Sequence, residues 1–233
     1  MKLILTFLIL FPLITFCQNK DTLKTKRIAI GVVFSPDYSY RTLKPYSSSN
    51  LIAELRDSLE IPKFGFTTGL NLLLQLNKRL TLEVGLQFSN KGEKSKDIKL
   101  NSIQPDPNLP IKIAYIFSYN YLDIPVKINY YISTSRLKFF ISGGLSTNLF
   151  LFQKTTSISE YIDIIKTKAT TSGGLSRVNF AFVAGLGINY DLTKKLSFRI
   201  EPIYRRSITP IINAPIKGYL YSVGINAGFY LNL

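Results

Sequence analysis

One stretch of the sequence decides the fold: residues Lys63 to Gly92, which read KFGFTTGLNLLLQLNKRLTLEVGLQFSNKG. In its second half, apolar residues alternate with small or polar ones, with Leu80, Leu82, Val84, Leu86 and Phe88 set against Thr81, Glu83, Gly85, Gln87 and Ser89. The first half alternates in the same way, apart from Thr68 on the apolar side and Leu73 on the polar side. Successive side chains of a β-strand point to opposite faces, and Asn77 to Arg79 is short enough only for a hairpin turn. The stretch therefore predicts a long β-hairpin with one apolar face.

The N-terminus has the pattern of a secretory signal peptide. An apolar run from Leu3 to Phe16 follows a single lysine and is too short for a membrane-spanning helix. Small residues at Thr15 and Cys17 predict cleavage before Gln18, so that residues 1–17 form the signal peptide. Lipidation of Cys17 is the alternative, but a bulky residue stands where that reaction needs a small one. After cleavage the chain has no cysteine, which excludes disulfides and cysteine metal ligands.

The composition is that of an all-β chain with a basic balance. The 233 residues include 16 Phe, 14 Tyr and 14 Gly, and 29 Lys and Arg stand against 14 Asp and Glu. No apolar run beyond the signal peptide reaches the length of about 18 residues that a membrane-spanning helix needs. The chain has no histidine, which excludes Ser–His pairs, imidazole bases and histidine metal sites. We therefore expect no catalytic residue, no metal and no cofactor.

The chain after the signal peptide reads as a polar N-terminal tail, residues 18–26, and one domain of eight strands, residues 27–233. Outside the hairpin, the predicted strands run from about Arg27 to Tyr40, Ile113 to Tyr131, Leu137 to Phe152, Ser176 to Tyr190, Leu196 to Ser207 and Lys217 to Leu233. Tight turns alternate with long connections, which are Arg41–Pro62, Asn90–Ile111, Gln153–Leu175 and Ile208–Ile216. In the first long connection, helical spacing behind Asn50 predicts a short amphipathic helix near Leu51 to Leu59. An even strand count with short turns at one end and long loops at the other is typical of outer-membrane barrels.

The predicted strands place charge on one face only. Within the core spans of the eight strands the apolar faces carry no charged residue, whereas the opposite faces carry Glu83, Asp123, Lys127, Arg199 and Glu201. A soluble barrel would have to fill its interior with these charges while leaving leucine stripes in water. In a membrane barrel the same residues form a polar network in the lumen, and aromatic residues near both ends of the apolar band form interfacial girdles. We expect the lumen charges to neutralise one another, with catalysis by the carboxylates as the weaker alternative.

Four segments resemble the PorT-like outer-membrane β-barrel proteins of Bacteroidota. They are GFTTGLNLLLQLNKRLTLEVGLQFSNKG, NYLDIPVKINYY, FFISGGLSTNLFL and FAFVAGLGINYDLTKKLSFRIEPIYRRSI, and YLDIP and the strand that ends in NKG are the more specific pieces. The resemblance implies an eight-stranded outer-membrane barrel. The namesake of the group takes part in protein secretion, but most relatives have no assigned role. No functional residue can be carried over, because the group has no established site.

The basic residues are spread over loops and strand ends, without a motif for nucleic acid and behind a secretory signal. We therefore expect no nucleic-acid partner. A solvated loop surface is the simplest interpretation. The more specific interpretation is that basic side chains at the outer rim contact lipopolysaccharide phosphates. The candidates are Arg41, Lys63, Lys91, Lys112, Arg177, Arg206 and Lys217.

The sequence thus predicts an all-β, eight-stranded, antiparallel up-and-down transmembrane barrel in the outer membrane of a Gram-negative bacterium, with short periplasmic turns and long extracellular loops. The expected role is non-enzymatic and structural or protein-interacting, including that of a subunit of a secretion machine. A small-solute transport barrel is the alternative, although eight strands leave too little lumen for an aqueous channel. The expected partners are outer-membrane lipid, lipopolysaccharide and other envelope proteins, around a monomeric barrel.

Overall fold

The computed structural model describes residues 28–45, 49–100, 109–133, 135–161, 163–212 and 214–233. The predicted signal peptide, its cleavage site and the N-terminal tail lie outside the described residues. The described residues form ten strands and one helix. In chain order these are β1 Ile28–Pro45, α1 Asn50–Leu59, β2 Glu60–Gln75, β3 Leu80–Ser95, β4 Ile98–Lys99, β5 Lys112–Tyr131, β6 Leu137–Glu160, β7 Ile164–Thr171, β8 Val178–Asp191, β9 Leu196–Ser207 and β10 Ile216–Asn232.

Eight of the strands close into a ring. Antiparallel pairing runs β5-β3-β2-β1-β10-β9-β8-β6, and β6 pairs in turn with β5. The short β4 and β7 lie outside this ring, as partners of β5 and β6. The ring closes between the first and last strands, in a register that runs from Ala29 opposite Asn232 to Pro45 opposite Ile216. The predicted eight-stranded up-and-down barrel is confirmed.

The barrel carries its apolar side chains outside and its polar side chains inside. On β3, for example, Leu86 is 53% exposed whereas Glu83 is fully buried. Leu73, predicted to interrupt the polar face, is buried. This arrangement inverts that of a soluble protein and leaves a continuous apolar band that only lipid can cover.

Aromatic side chains mark the edges of this band. At the end that carries the long loops, the ring of Phe66 lies 6.3 Å from that of Phe34 and 6.0 Å from that of Phe88. At the end that carries the tight turns, the rings of Phe198 and Phe229 are 4.9 Å apart. Leu80 to Phe88 of β3 matches the length of about 9–11 residues that a tilted strand needs to cross a bilayer. We call the two ends of the barrel the loop end and the turn end.

Several strands extend beyond the band at the loop end. The predicted loop Gln153–Leu175 is wrong for most of its length, because β6 continues to Glu160 and β7 folds back beside it. This hairpin alternates Ser, Thr and Lys on two solvated faces, so it lacks the apolar stripe by which the other strands were recognised. Lys112 of β5 and Glu160 of β6 form a 3.1 Å ion pair near its tip.

The helix α1 forms where it was predicted, but its details differ. Its N-cap is Ser49 rather than Asn50, and no side-chain hydrogen bond caps it. Its apolar residues Leu51, Ile52 and Leu55 are exposed, and Ala53 alone is buried. No helix in the described part of the chain combines the length and the hydropathy that a membrane crossing requires.

Candidate functional site

Four charged side chains meet in the middle of the lumen: Glu83 of β3, Lys127 of β5, and Arg199 and Glu201 of β9. The register places Glu83 directly opposite Lys127 on neighbouring strands, and Arg199 and Glu201 reach them across the barrel. The ammonium of Lys127 lies 2.9 Å from a carboxylate oxygen of Glu201 and 3.2 Å from one of Glu83. Arg199 lies 3.0 Å from Glu83 and 3.7 Å from Glu201. We call these four residues the charged layer; its two positive and two negative charges balance.

Neutral polar groups donate hydrogen bonds to both carboxylates of the charged layer. Asn71 and Asn129 donate to the two carboxylate oxygens of Glu83, at 2.6 and 2.9 Å. Ser142 donates to Glu201, and Asn226 donates to its other oxygen at 3.4 Å. Because buried charges are stable only when they are paired and hydrogen-bonded, this environment accounts for how four buried ions are tolerated inside the barrel.

Aromatic rings fill the remaining space around Arg199. Its guanidinium carbon lies 3.8 Å from the centre of the Phe140 ring, which is a cation–π geometry. The Phe140 ring fits only because Gly187 lies beneath it: a Cβ there would come within 2.1 Å of the ring. Gly31 provides the same space for the ring of Tyr230. Rings and ions thus pack against one another in the middle of the lumen.

Asp123, predicted to belong to the same network, lies apart from the charged layer. Its carboxylate pairs with the ammonium of Lys91 at 2.7 Å, closer to the loop end. A further buried pair, not identified from the sequence, joins Asp37 of β1 to Arg205 of β9 at 2.9 Å. Ser35 and Thr67 also donate to the Asp37 carboxylate. The inward direction of Arg205 could have been predicted from the sequence, since Arg205 has the same strand parity as Arg199 and Glu201.

A third cluster lies beyond the band, where α1 joins the barrel. Arg41 of β1 forms ion pairs with Glu60 at the start of β2 and with Asp57 of α1, the latter at 3.1 Å. Arg41 also lies 3.7 Å from Glu93 of β3, which accepts a 2.7 Å hydrogen bond from the hydroxyl of Tyr119. We call these residues the loop-end cluster. It joins the helix to the barrel through ion pairs, in addition to the burial of Ala53.

Glu93 of the loop-end cluster lies past Phe88, outside the membrane-spanning part of β3. Burial raises the pKa of Glu93 to about 7, although the hydrogen bond from Tyr119 and the charge of Arg41 oppose the rise. Between the ordinary value of 4.5 and about 7, the folded chain therefore binds a proton that the unfolded chain has released. Protonation of Glu93 contributes stability that is present at low pH and is lost as the pH rises through about 7.

The seven residues predicted to contact lipopolysaccharide do not share one environment. Arg41, Lys63 and Lys91 are buried and face the lumen, so the prediction that they are exposed for contact with lipid phosphates is wrong. The parity of their strands explains this, since each shares the face of the inward polar residues. Lys112 is half-exposed and paired with Glu160. Arg177 and Arg206 are exposed, and Lys217 is half-buried.

Arg206 has the position closest to the predicted one. Its side chain projects from the outer face of β9, and its guanidinium lies 3.5 Å from the Tyr204 hydroxyl. Its cross-strand neighbours are Phe182 of β8 and Tyr221 of β10. Arg206 therefore lies within the aromatic girdle at the loop end, at the level where lipid headgroups begin.

At the turn end the lumen widens into an open cavity of about 990 Å³, which we call the vestibule. Tyr131 lines it, and its ring packs 5.5 Å from that of buried Phe140. Because Phe140 in turn covers Arg199, the vestibule ends against the charged layer. This cavity could not be predicted from the sequence, because the residues that line it come from every hairpin at that end of the barrel.

A closed ring of antiparallel strands with a lipid-facing apolar band and a charged interior defines an integral outer-membrane barrel. Residues 16–213 match the family model described as outer membrane protein beta-barrel domain, and the chain belongs to that family. The protein is therefore an outer-membrane protein of a Gram-negative bacterium, as predicted.

Solved structures of outer-membrane proteins are similar to this chain at low identity. Neisserial surface protein A (NspA) is 12% identical with a TM-score of 0.47, over 88% of this chain and 96% of that one. OprG from Pseudomonas aeruginosa is 16% identical with a TM-score of 0.41, over 89% and 96%. AlkL is 13% identical with a TM-score of 0.42, over 94% and 96%. Comparison with curated protein sequences finds no match.

Proposed function

We propose that this chain is a non-enzymatic, closed outer-membrane barrel with a structural or protein-interacting role in the cell envelope. The observation that carries the proposal is the charged layer, whose ion pairs span the lumen from β3 and β5 to β9, with the rings of Phe140 and Tyr230 beside Arg199. Eight strands enclose an interior that side chains just fill. A barrel that is closed in this way acts through its surfaces, which are the loops, the turns and the lipid-facing wall.

The kinds of residue in the chain support a non-enzymatic role. The sequence has no histidine to serve as a general base or metal ligand. In the lumen, Glu83, Glu201, Asp37 and Asp123 each face a cation within 3.2 Å. Carboxylates held in this way neutralise their partners, so we assign them to structure rather than to catalysis.

The resemblance to PorT-like proteins of Bacteroidota supports a more specific form of the proposal, in which the barrel is a subunit of a secretion machine. YLDIP carries much of this resemblance, and it supplies Asp123 to the lumen and Leu122 to the wall. Purification from native membranes in a mild detergent would test the role. A second envelope protein in fixed stoichiometry supports it, whereas a lone monomer from the native host would contradict it.

Lipopolysaccharide is proposed as a further partner through Arg206 and Arg177, the exposed members of the predicted set. Arg206 lies beside Tyr204 in the aromatic girdle, where a guanidinium can form paired hydrogen bonds with phosphate. The double change Arg206→Gln and Arg177→Gln should reduce the lipopolysaccharide that copurifies with the barrel. The matched control is the same change at Arg79 and Arg136, two arginines of the turn end. Equal loss in both variants would contradict the contact.

Transport of small solutes is the second candidate function, and the vestibule is the feature that favours it. Reconstitution in a planar bilayer separates the two functions. The wild-type barrel should give no steady current, because the charged layer blocks the lumen. A stable, ohmic, porin-sized conductance from the purified monomer would refute the closed barrel and establish transport. Arg199→Ala together with Phe140→Ala, checked for folding, should open the lumen and serves as the positive control.

A further inference from the structure

The side chains that line the vestibule carry an excess of positive charge. Its lining includes five basic side chains and one acidic one among the described residues, namely Lys78, Arg136, Lys138, Lys194, Lys195 and Asp191. The acidic side chain is already engaged, since Asp191 forms a 2.6 Å ion pair with Lys138. Arg136 donates to the backbone carbonyls of Asp191 and Leu192. For Lys78, Lys194 and Lys195, the described part of the chain offers no carboxylate within ion-pair distance.

The unpaired lysines come from different hairpins around the same mouth. Lys78 lies in the β2–β3 turn, whereas Lys194 and Lys195 lie in the β8–β9 turn. Arg136 is the last residue of the β5–β6 turn, and Lys138 lies at the start of β6. All three tight turns thus contribute cations to one concave opening. A cleft lined by charges of one sign concentrates the electrostatic potential and attracts ions of the opposite sign.

We propose that the vestibule binds an acidic peptide segment of a periplasmic protein. Short turns of outer-membrane barrels face the periplasm, so the ligand enters from that side. The cavity volume of about 990 Å³ lies at the upper end of the usual range for ligand sites. Because the cations are distributed around the mouth, a chain with several separated carboxylates satisfies them better than one small anion does.

The chemistry of the walls argues against a lipid as the occupant. Gln75, Thr81, Asn189 and Ser197 line the vestibule and offer polar groups to its contents. The acyl chains of a phospholipid would lose their apolar environment if its headgroup entered this space. An extended peptide, in contrast, has backbone groups that can hydrogen-bond to such walls.

The inference deepens the proposed interaction role and rests on it. It is tested with the full barrel in nanodiscs of uncharged lipid and a fluorescently labelled peptide of alternating Glu and Gly, with fluorescence anisotropy as the readout. The wild type should bind this peptide in a salt-dependent manner and should ignore the matched Gln–Gly peptide. Changing Lys78, Lys194 and Lys195 together to Glu should weaken binding by about tenfold or more, since charges on a binding rim set attraction and salt dependence.

The control variant makes the same change of net charge at the opposite end. Lys154, Lys166 and Lys168 lie on the β6–β7 hairpin, and changing all three to Glu should leave binding intact. Equal loss in both variants would mean attraction to overall charge and would overturn the proposal.

Full displacement of the peptide by inorganic phosphate would overturn the proposal in favour of a small-anion site. Binding that appears only with anionic lipid would assign the cations to the membrane surface. Failure to bind in a barrel that conducts no current would refute this inference alone, whereas steady conductance would refute the proposed function as well.

Discussion

Replacing Lys127 with methionine tests whether the charged layer is dry and paired. The change keeps an unbranched side chain, one atom shorter, and removes one of two cations, which leaves Glu83 and Glu201 with Arg199 alone. The ammonium lies 2.9 and 3.2 Å from the two carboxylates. At an effective dielectric constant of about 20, each contact supplies about 5 kcal/mol of attraction.

Part of this attraction is offset in the folded wild type, because burying the ammonium costs several kcal/mol of hydration. We therefore expect the free energy of unfolding to fall by about 3–5 kcal/mol, which is typical when one partner of a buried pair is removed. Unfolding by urea in detergent micelles can be followed by far-ultraviolet circular dichroism. Tryptophan fluorescence cannot be used, because the chain has no tryptophan.

Two further variants make the result specific. Lys138→Met breaks a pair whose side chains are 30% and 31% exposed, and it should cost about 0–1 kcal/mol because water screens such pairs. Glu201→Gln added to Lys127→Met removes the unpaired charge and should restore at least half of the lost stability. If Lys127→Met costs no more than Lys138→Met, the lumen is hydrated and the closed, dry interior is refuted.

Three other expectations concern the lipid-facing wall, the orientation and the loop end. Leu86→Arg places a charge in the apolar band and should destabilise the barrel by about 2–4 kcal/mol, measured by unfolding in lipid vesicles. Trypsin added to intact cells should cut after exposed Arg177 and spare the turn at 192–195, as mass spectrometry of the fragments would report. Glu93→Gln should remove the loss of stability between pH 4.5 and about 7, which follows from the raised pKa of Glu93, and should stabilise the barrel at pH 8 by on the order of 2–3 kcal/mol.

Each of these has an outcome that contradicts it. Leu76 is as exposed as Leu86, at 54% and 53%, but lies at the turn end, and equal costs of arginine at both positions would refute the membrane band. Cleavage at 192–195 in unbroken cells would reverse the orientation. An unchanged pH profile in Glu93→Gln would mean that another group, or none, titrates at the loop end.

Most of the fold could be predicted from strand parity, that is, from which alternate residues of a strand share a face. Because every second residue between Leu80 and Phe88 is apolar, the inward position of Glu83 followed directly, and the same argument placed Lys127 and Arg199 in the lumen. Parity gives the direction of a side chain but not the partner it meets. Which ions pair depends on strand order and register across the ring, so Asp123 was grouped with the charged layer rather than with Lys91.

The wrong predictions at the loop end have a common physical origin. Arg41, Lys63 and Lys91 were placed at the outer rim because they lie near predicted loops, although their parity points inward. The strands in fact continue past the membrane, where both faces of a strand can meet water and the apolar stripe disappears. The β6–β7 hairpin was missed for that reason. The alternation of apolar and polar residues identifies the part of a strand that touches lipid. It does not identify the part that continues into water.

The pairing of β1 with β10 also determines the order of events when the protein is made. Every hairpin formed earlier has two open edges whose backbone groups lipid cannot satisfy. Stable insertion therefore waits until β10 is present, although β1 is synthesised first. Joining strands so far apart in sequence is slow. During that delay the apolar stripes of the waiting strands are attractive sites for aggregation, so aggregation competes with insertion until the ring closes.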